Sequence, residues 1–213
     1  MKIFIVGAGG QARVVYDILS YDRSFEVIGF TDNILKRPNE KIFGKPVLGK
    51  HEIWPELYTK GVRATIVAVG DNNIRAQHFY KLKKLRFELV NAIHPNSSIA
   101  PSAKTGKGVV VSAGTIINTN AIIGDNCIVN TGAVVEHDCK IGNHVHIAPG
   151  VCIAGRTKIG EKSFIGIGSV VKEYLTIGRN VIVGAGSVVL DDVPDNVMVA
   201  GAPAVIKKGI IEK

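Results

Sequence analysis

The sequence predicts two domains of different class: a small Rossmann-like α/β domain over residues 1–92 and a parallel β-helix over residues 93–213. Three observations carry this. Strand-like and helix-like segments alternate as far as Ala92. From Ile99 onward one residue in six is aliphatic without a break in register. The 24 glycines, set against only 6% aromatic residues, suit turns and short strands better than helix bundles.

The first domain is read element by element. "KIFIVGAGG" is a buried strand ending in a Gly turn, and "QARVVYDILSY" follows with Val14, Val15, Ile18 and Leu19 at helical spacing. "FEVIGFTDN" is a second strand ending in Asp32 and Asn33. "KPVLG" is a short extended piece, and "KHEIWPELYTKG" a short helix interrupted near Pro55. "RATIVAVGDN" is a third buried strand, "IRAQHFYKLKKL" a helix, and "FELVNAI" a closing strand. Strands alternating with helices imply a parallel sheet covered on both faces.

The second domain rests on one ladder: Ile99, Thr105, Val111, Ile117, Ile123, Val129, Val135, Ile141, Ile147, Ile153, Ile159, Ile165, Val171, Ile177, Val183 and Val189. Only Thr105 is not aliphatic. Four residues after a rung the residue is mostly small, as at Ala103, Ala121, Cys127, Ala133, Cys139 and Ser163. Gly often follows the rung directly, as at Gly124, Gly142 and Gly160. Neither an α-helix nor a plain strand puts every sixth residue on one face. A prism of three six-residue sides does, giving a coil of about 18 residues.

Composition narrows the function classes. No apolar run approaches the ~20 residues of a membrane span. The apolar N-terminal run ends in a Gly turn rather than a cleavage site. Cys127, Cys139 and Cys152 follow neither zinc nor disulfide spacing, which fits a reducing cytoplasm. The net charge of +8 comes mainly from the first 92 residues, with 15 basic against 9 acidic side chains; the remainder holds 11 against 9. These charges are scattered, with no basic stripe interleaved with aromatics, so nucleic acid is not the expected partner. A solvated surface and a general attraction for phosphorylated small molecules both fit.

Two stretches carry chemistry. Gly7, Gly9 and Gly10, between a strand and a helix, let backbone N–H groups and a helix N-terminus face a phosphate. Ala12 at the last position of the dinucleotide fingerprint is compatible with a nicotinamide enzyme, and a structural turn without ligand is the ordinary alternative. A domain of about 92 residues holds half a dinucleotide fold, enough for a mononucleotide. The second stretch, residues 130–150, holds His137, His144 and His146. None occupies an inward rung position, and their spacing is not that of a metal site. His144 reads as a solvated surface residue. His137 stands between the carboxylates of Glu136 and Asp138, as a general base needs. Gly155 lies 18 residues on, one coil away, where a bare backbone N–H can face a developing oxyanion.

The hexapeptide ladder, the tail "DVPDNVMVAGAPAVIKKG" and the N-terminal "GAGGQARVV", "FTDN" and "VAVGDNNIR" together resemble the left-handed β-helix sugar O- and N-acyltransferases of bacterial glycan synthesis. Within these, the chain resembles the bacillosamine- and perosamine-type nucleotide-amino-sugar N-acetyltransferases. The left hand is implied by the resemblance alone, since parallel crossovers are otherwise right-handed. The resemblance implies acetyl-CoA as acyl donor, no metal, and a homotrimer whose sites lie between neighbouring subunits. It places His137 on the catalytic base, Asp138 on its orienting acid and Gly155 on the acyl-carbonyl donor. Asn130 and His146 fall near the acyl and substrate groups. Gly7, Gly9, Gly10, Gln11, Asp32, Asn33, Gly70, Asp71, Asn72 and Arg75 fall on the nucleotide-sugar site, with Gln11 where a His often stands. Gly166, Gly168, Gly184 and Ala185 would let pantetheine lie close to the coils, although Gly also recurs simply for the turns; Lys172 and Arg179 are candidate phosphate partners for CoA, with surface solvation the equal alternative. O-acetylation of sialic acid or a related sugar, a γ-carbonic-anhydrase-like metalloenzyme, and a non-catalytic nucleotide-sugar-binding protein are the alternatives.

Overall fold

The computed structural model describes residues 1–34 and 40–210, and the chain divides into two units, Met1–Pro95 and Asn96–Lys213. In the first unit the elements are β1 (Lys2–Val6), α1 (Gly10–Ser20), β2 (Glu26–Thr31), β3 (Lys41–Ile42), β4 (Lys45–Gly49), α2 (Trp54–Thr59), β5 (Ala64–Val67), α3 (Asn72–Lys84), β6 (Glu88–Leu89) and β7 (Ala92–Ile93). The sheet order is β3-β4-β2-β1-β5-β6, parallel except for the β3–β4 hairpin. Two sequence expectations are revised. Pro55 does not interrupt a helix; it stands in the first turn of α2, where its missing N–H costs nothing, behind a 3₁₀ turn at His51–Ile53. The stretch expected as one closing strand is split between β6 and β7.

This sheet creates a crevice. Right-handed crossovers leave β1 toward β2 and β5 toward β6, in opposite directions, so α1 and α3 cover opposite faces. The carboxyl ends of β1 and β5 part at that point, the usual place for a ligand in such a sheet. On one face Phe4 and Val6 pack with Trp54 and Leu57 of α2 and Phe79 and Leu82 of α3. Asp71 caps α3 by accepting from Ile74 N–H at 2.8 Å.

The second unit is a left-handed β-helix. Sixteen two-residue strands, β8 (Ser98–Ile99) to β23 (Val188–Val189), follow one another every six residues. Strands 18 residues apart pair in parallel and build three walls. The first wall shows Ile116, Val134, Cys152 and Val170 outward, the second Ile122, Lys140 and Lys158, and the third Ile128, His146 and Phe164. The predicted ladder is the core: every rung residue from Val111 to Val189, and every fourth residue after one from Val109 to Val193, is buried. The hydroxyls among them are satisfied across the coil, with Thr157 donating to Lys172 O at 3.1 Å, Ser163 to Gly178 O at 2.8 Å and Ser169 to Gly184 O at 2.9 Å.

Corners follow each wall. Between the first and second walls stand residues 136–138 and 154–156; between the second and third, 142–144; between the third and first, 130–132, 166–168 and 184–186. The last corner residue is left-handed throughout, as at Asp138 (φ 59°), His144 (φ 60°), Arg156 (φ 61°) and Gly168 (φ 66°). The glycines that open the second–third corner answer a packing need, since a Cβ at Gly124, Gly142 or Gly160 would come within 2.7 Å of the next coil. A four-residue strand, β24 (Val197–Ala200), then extends the third wall, and β25 (Val205–Gly209) folds back on it antiparallel.

Candidate active site

His137 and Asp138 occupy the corner after Val134–Val135, and their side chains meet. His137 Nδ1 lies 2.9 Å from Asp138 Oδ2. The carboxylate can only accept, so Nδ1 carries the proton and Nε2 keeps its lone pair in the neutral ring. Asp138 is held in turn by Asn120 Nδ2, which donates to Oδ1 at 3.3 Å, and faces Arg156 Nε at 3.6 Å. The hydrogen bonds from His137 and Asn120 keep the Asp138 carboxyl below the usual carboxylate range. Glu136 plays another part than the sequence suggested: its Oε2 accepts from Asn118 Nδ2 at 3.0 Å and from the His137 backbone N–H at 3.2 Å. One carboxylate holds the ring and the other holds the backbone beneath it.

One coil above, Gly155 lies against the free side of the imidazole. A Cβ at Gly155 would stand 2.6 Å from His137 Nε2 and 2.7 Å from Cε1. Its neighbours are fixed, with Arg156 N–H donating to His137 O at 2.9 Å and Tyr174 N–H to Gly155 O at 3.1 Å. The Gly155 N–H itself donates to no acceptor among the described residues. An imidazole nitrogen with no protein partner and a backbone N–H with no protein acceptor among the described residues thus lie close together at this corner.

A second site lies in the first unit, in the crevice at the ends of β1, β2 and β5. This pocket of about 430 Å³ is lined by Gly7, Gly9, Gly10, Gln11, Asp32, Asn33 and Gly70, all expected from the sequence. Asp32 braces the Gly turn, its Oδ2 accepting from Ala8 N–H at 2.7 Å. Gly7 cannot be replaced there, because its φ is +112° and a Cβ would meet Ala68 O at 2.6 Å. The expected Asp71, Asn72 and Arg75 do not line the pocket. Asp71 caps α3, and Arg75 is wholly buried, donating to Asn72 Oδ1 at 2.7 Å and to Val69 O and Gly70 O at 3.1 and 3.0 Å. They shape the loop that forms one wall. Sequence reasoning missed His51, Trp54, Ile74 and His78, which also line it.

The two halves of the chain match known families separately. Residues 2–82 match the PglD N-terminal domain, and residues 120–155 and 156–191 match the bacterial transferase hexapeptide model. Among solved structures, perosamine N-acetyltransferase from Caulobacter crescentus, a histidine-to-asparagine variant with CoA and GDP-perosamine, is 41% identical over 98% of this chain and 97% of that one, with a TM-score of 0.93. The chain belongs to the hexapeptide-repeat sugar acyltransferase family. The acetyltransferase domain of PglB from Neisseria gonorrhoeae, in complex with acetyl coenzyme A, is 36% identical to this acyltransferase over 97% and 98% of the two chains, with a TM-score of 0.89. WeeI from Acinetobacter baumannii is 28% identical over 97% and 100%, with a TM-score of 0.87.

Within one copy of this acyltransferase the expected site residues fall into two groups. His137, Asp138, Gly155 and Lys172 share the first–second corner. Asn130, Gly166, Gly168, Gly184 and Ala185 share the third–first corner, with His146 on the third wall beside it. Asn130 Nδ2 and His146 Nε2 are 3.4 Å apart, and Phe164 meets the His146 ring edge-on at 5.1 Å. The first wall separates the groups. Gly166 and Gly184 are also explained by stacking, since a Cβ would meet Val183 O at 2.5 Å or Ala200 Cβ at 2.8 Å. Arg179 is paired with Asp195 at 3.1 Å, away from both groups. The expectation for His144 is overturned. It is 1% exposed, and its Nδ1 lies 2.9 Å from Asn126 Nδ2 one coil below. The left-handed turn residue at that corner points along the stack rather than into solvent. The three histidines of residues 130–150 thus stand at different places on the prism, and do not converge.

Proposed function

We propose that this acyltransferase moves the acetyl group of acetyl-CoA to the amine of a nucleotide-activated amino sugar. The observation that carries the proposal is the His137–Asp138 pair with Nε2 directed at Gly155. The amine nitrogen attacks the thioester carbonyl and forms the C–N bond, while Nε2 of His137 takes the amine proton. Asp138 keeps the tautomer that leaves Nε2 free and stabilises the imidazolium that results. Gly155 N–H donates to the oxyanion. The C–S bond then breaks, and the proton on His137 passes to the leaving thiolate, so free CoA is the second product. Gly9, Gly10 and the N-terminus of α1 hold the nucleotide diphosphate, and Gly7, whose own N–H donates to Thr31 O at 2.7 Å, makes the turn that presents them.

The same reading includes a homotrimer. The first wall turns an apolar stripe outward, with Ile116 41% and Val170 46% exposed and Val134 and Cys152 between them. This stripe lies between the two groups of site residues. Packing it against another copy would bring the His137 corner of one subunit to the Asn130–His146 corner of its neighbour, and pantetheine would run along the bare Gly168 and Ala185 ridge with Lys172 near its phosphates. No described helix is long and apolar enough to cross a membrane. Free Cys127, Cys139 and Cys152 support a cytoplasmic enzyme.

The test is thiol release from acetyl-CoA, with UDP-, GDP- and dTDP-linked amino sugars and sialic acid offered in turn. One nucleotide-amino sugar should release stoichiometric thiol and gain an acetamide. Release with sialic acid alone, forming an ester, would replace this reading with O-acetylation.

A further inference from the structure

The nucleotide pocket has two chemically different sides. With the Gly7 and Ala8 N–H groups donating to Thr31 O and Asp32 Oδ2, the α1 side offers the backbone N–H groups of Gly9 and Gly10 and the side chain of Gln11, whose Nε2 is buried with no partner among the described residues. These are donors, suited to phosphate oxygens. The other side is built from rings. His51 from the turn before α2, Trp54 from α2 and His78 from α3 stand together, with ring centroids 5.8 Å apart for His51–Trp54, 5.4 Å for Trp54–His78 and 6.4 Å for His51–His78. Ile74, four residues before His78 on the same helix face, extends this wall.

Two of the three rings have their polar atoms engaged. Trp54 Nε1 donates to Thr31 Oγ1 at 3.0 Å, and His51 Nδ1 lies 2.5 Å from Asn33 Oδ1. His78 differs: it is half-buried, and neither ring nitrogen has a hydrogen-bond partner among the described residues. Trp54 meets it edge to face at 81°, which holds the ring plane. Burial first, then the neighbouring His51 and Lys81, favours its neutral form against the opposing pull of Asp32. A neutral imidazole is one donor and one acceptor on a flat ring, the complement of a base edge rather than of a phosphate.

Resting on the reading of this pocket as the nucleotide site, the geometry points to His78 as the residue that selects the nucleobase, with Ile74 and Trp54 forming the apolar floor around it. A site built to hydrogen-bond one base rejects another by leaving its own buried polar group unpaired. Replacing His78 therefore changes discrimination rather than binding as a whole.

The experiment is calorimetric titration of the native chain and of His78→Phe with GDP, UDP and dTDP. Phe keeps a flat ring against Trp54 and removes both nitrogens. The native chain should prefer one nucleotide, and His78→Phe should shrink that preference by about tenfold, the scale of one hydrogen bond. It should still bind the diphosphates and melt as the native chain does. A native preference that survives in His78→Phe overturns the role of His78, as does a native chain that binds all three equally. Failure of the native chain to bind any of them overturns instead the reading of the pocket as the nucleotide site. Titration of Gly9→Glu is the control for that reading: a side chain there meets no atom within 4 Å and the backbone is extended, so the turn is kept, while a carboxylate at the start of α1 should abolish binding of all three.

Discussion

Replacing Gly155 by Ala adds one methyl group at the most sensitive point of the proposed site. The new Cβ would lie 2.6 Å from His137 Nε2, 2.7 Å from Cε1 and 3.2 Å from Cδ2. Comfortable carbon contacts begin at about 3.5 Å, so the ring must retreat by about 1 Å. It can do so cheaply, because the His137 side chain is 51% exposed. The backbone of Gly155 is not left-handed, so Ala brings no conformational penalty there. The Nδ1–Asp138 bond of 2.9 Å is what the retreat disturbs. A misplacement of about 1 Å costs about 10²-fold in rate. Gly155→Ala should therefore melt within a few degrees of the native protein, bind acetyl-CoA comparably, and lose about 10²-fold in kcat. Steady-state thiol release beside a thermal melt measures both. A variant with native kcat would refute the placement of His137 over Gly155 as the catalytic arrangement, and one that fails to fold would refute the steric argument.

Asp138→Asn should lower kcat by about 10²–10⁴-fold, because an amide no longer enforces the tautomer or stabilises the imidazolium. The acid limb of the pH–rate profile should remain in that variant. The native Asp138 carboxyl, its pKa lowered below the ordinary 3.8 by His137 and Asn120, is already ionised wherever the enzyme works. By the same sign, the contribution of Asp138 to stability is complete above 3.8 and is lost only as pH falls through its lowered folded value, which acid melts of Asp138→Asn and native protein would reveal. Val170→Glu on the outward apolar stripe should yield monomers by light scattering, and activity should fall with assembly. Ile153→Ala, at a rung residue 1% exposed, should cost about 2–5 kcal/mol in denaturant unfolding through the cavity it leaves.

The ladder was legible because a prism has one repeat length and a core only two inward positions per side. Sixteen rungs and the residues four beyond them follow from that period alone. His137 and Asp138 were legible because adjacent residues at a corner can meet without help from distant chain. His144 is not legible from the period, because an inward slot is not the only route to burial: a left-handed corner residue lies on its counterpart 18 residues away, and Asn126 covers it. Arg75 belongs to the first turn of α3 rather than to the loop before it, and the helix turns its side chain inward. His51, Trp54 and His78 escape a reading of the sequence because they come from a 3₁₀ turn and two helices brought to one pocket by the sheet order. Only the spacing of Ile74 and His78 on one helical face could have hinted at them.

The central claim is that His137 accepts the proton of the attacking amine. Single-turnover acetyl transfer, with His137→Ala that assembles as the native protein does, beside the native enzyme and both saturated with acetyl-CoA and the amino-sugar substrate, tests it most directly. The account predicts that the variant binds both substrates and transfers at least about 10²-fold more slowly. It also predicts that the deficit narrows as pH rises and the free amine becomes its own base. Equal single-turnover rates at neutral pH, or a deficit that does not change with pH, would contradict it.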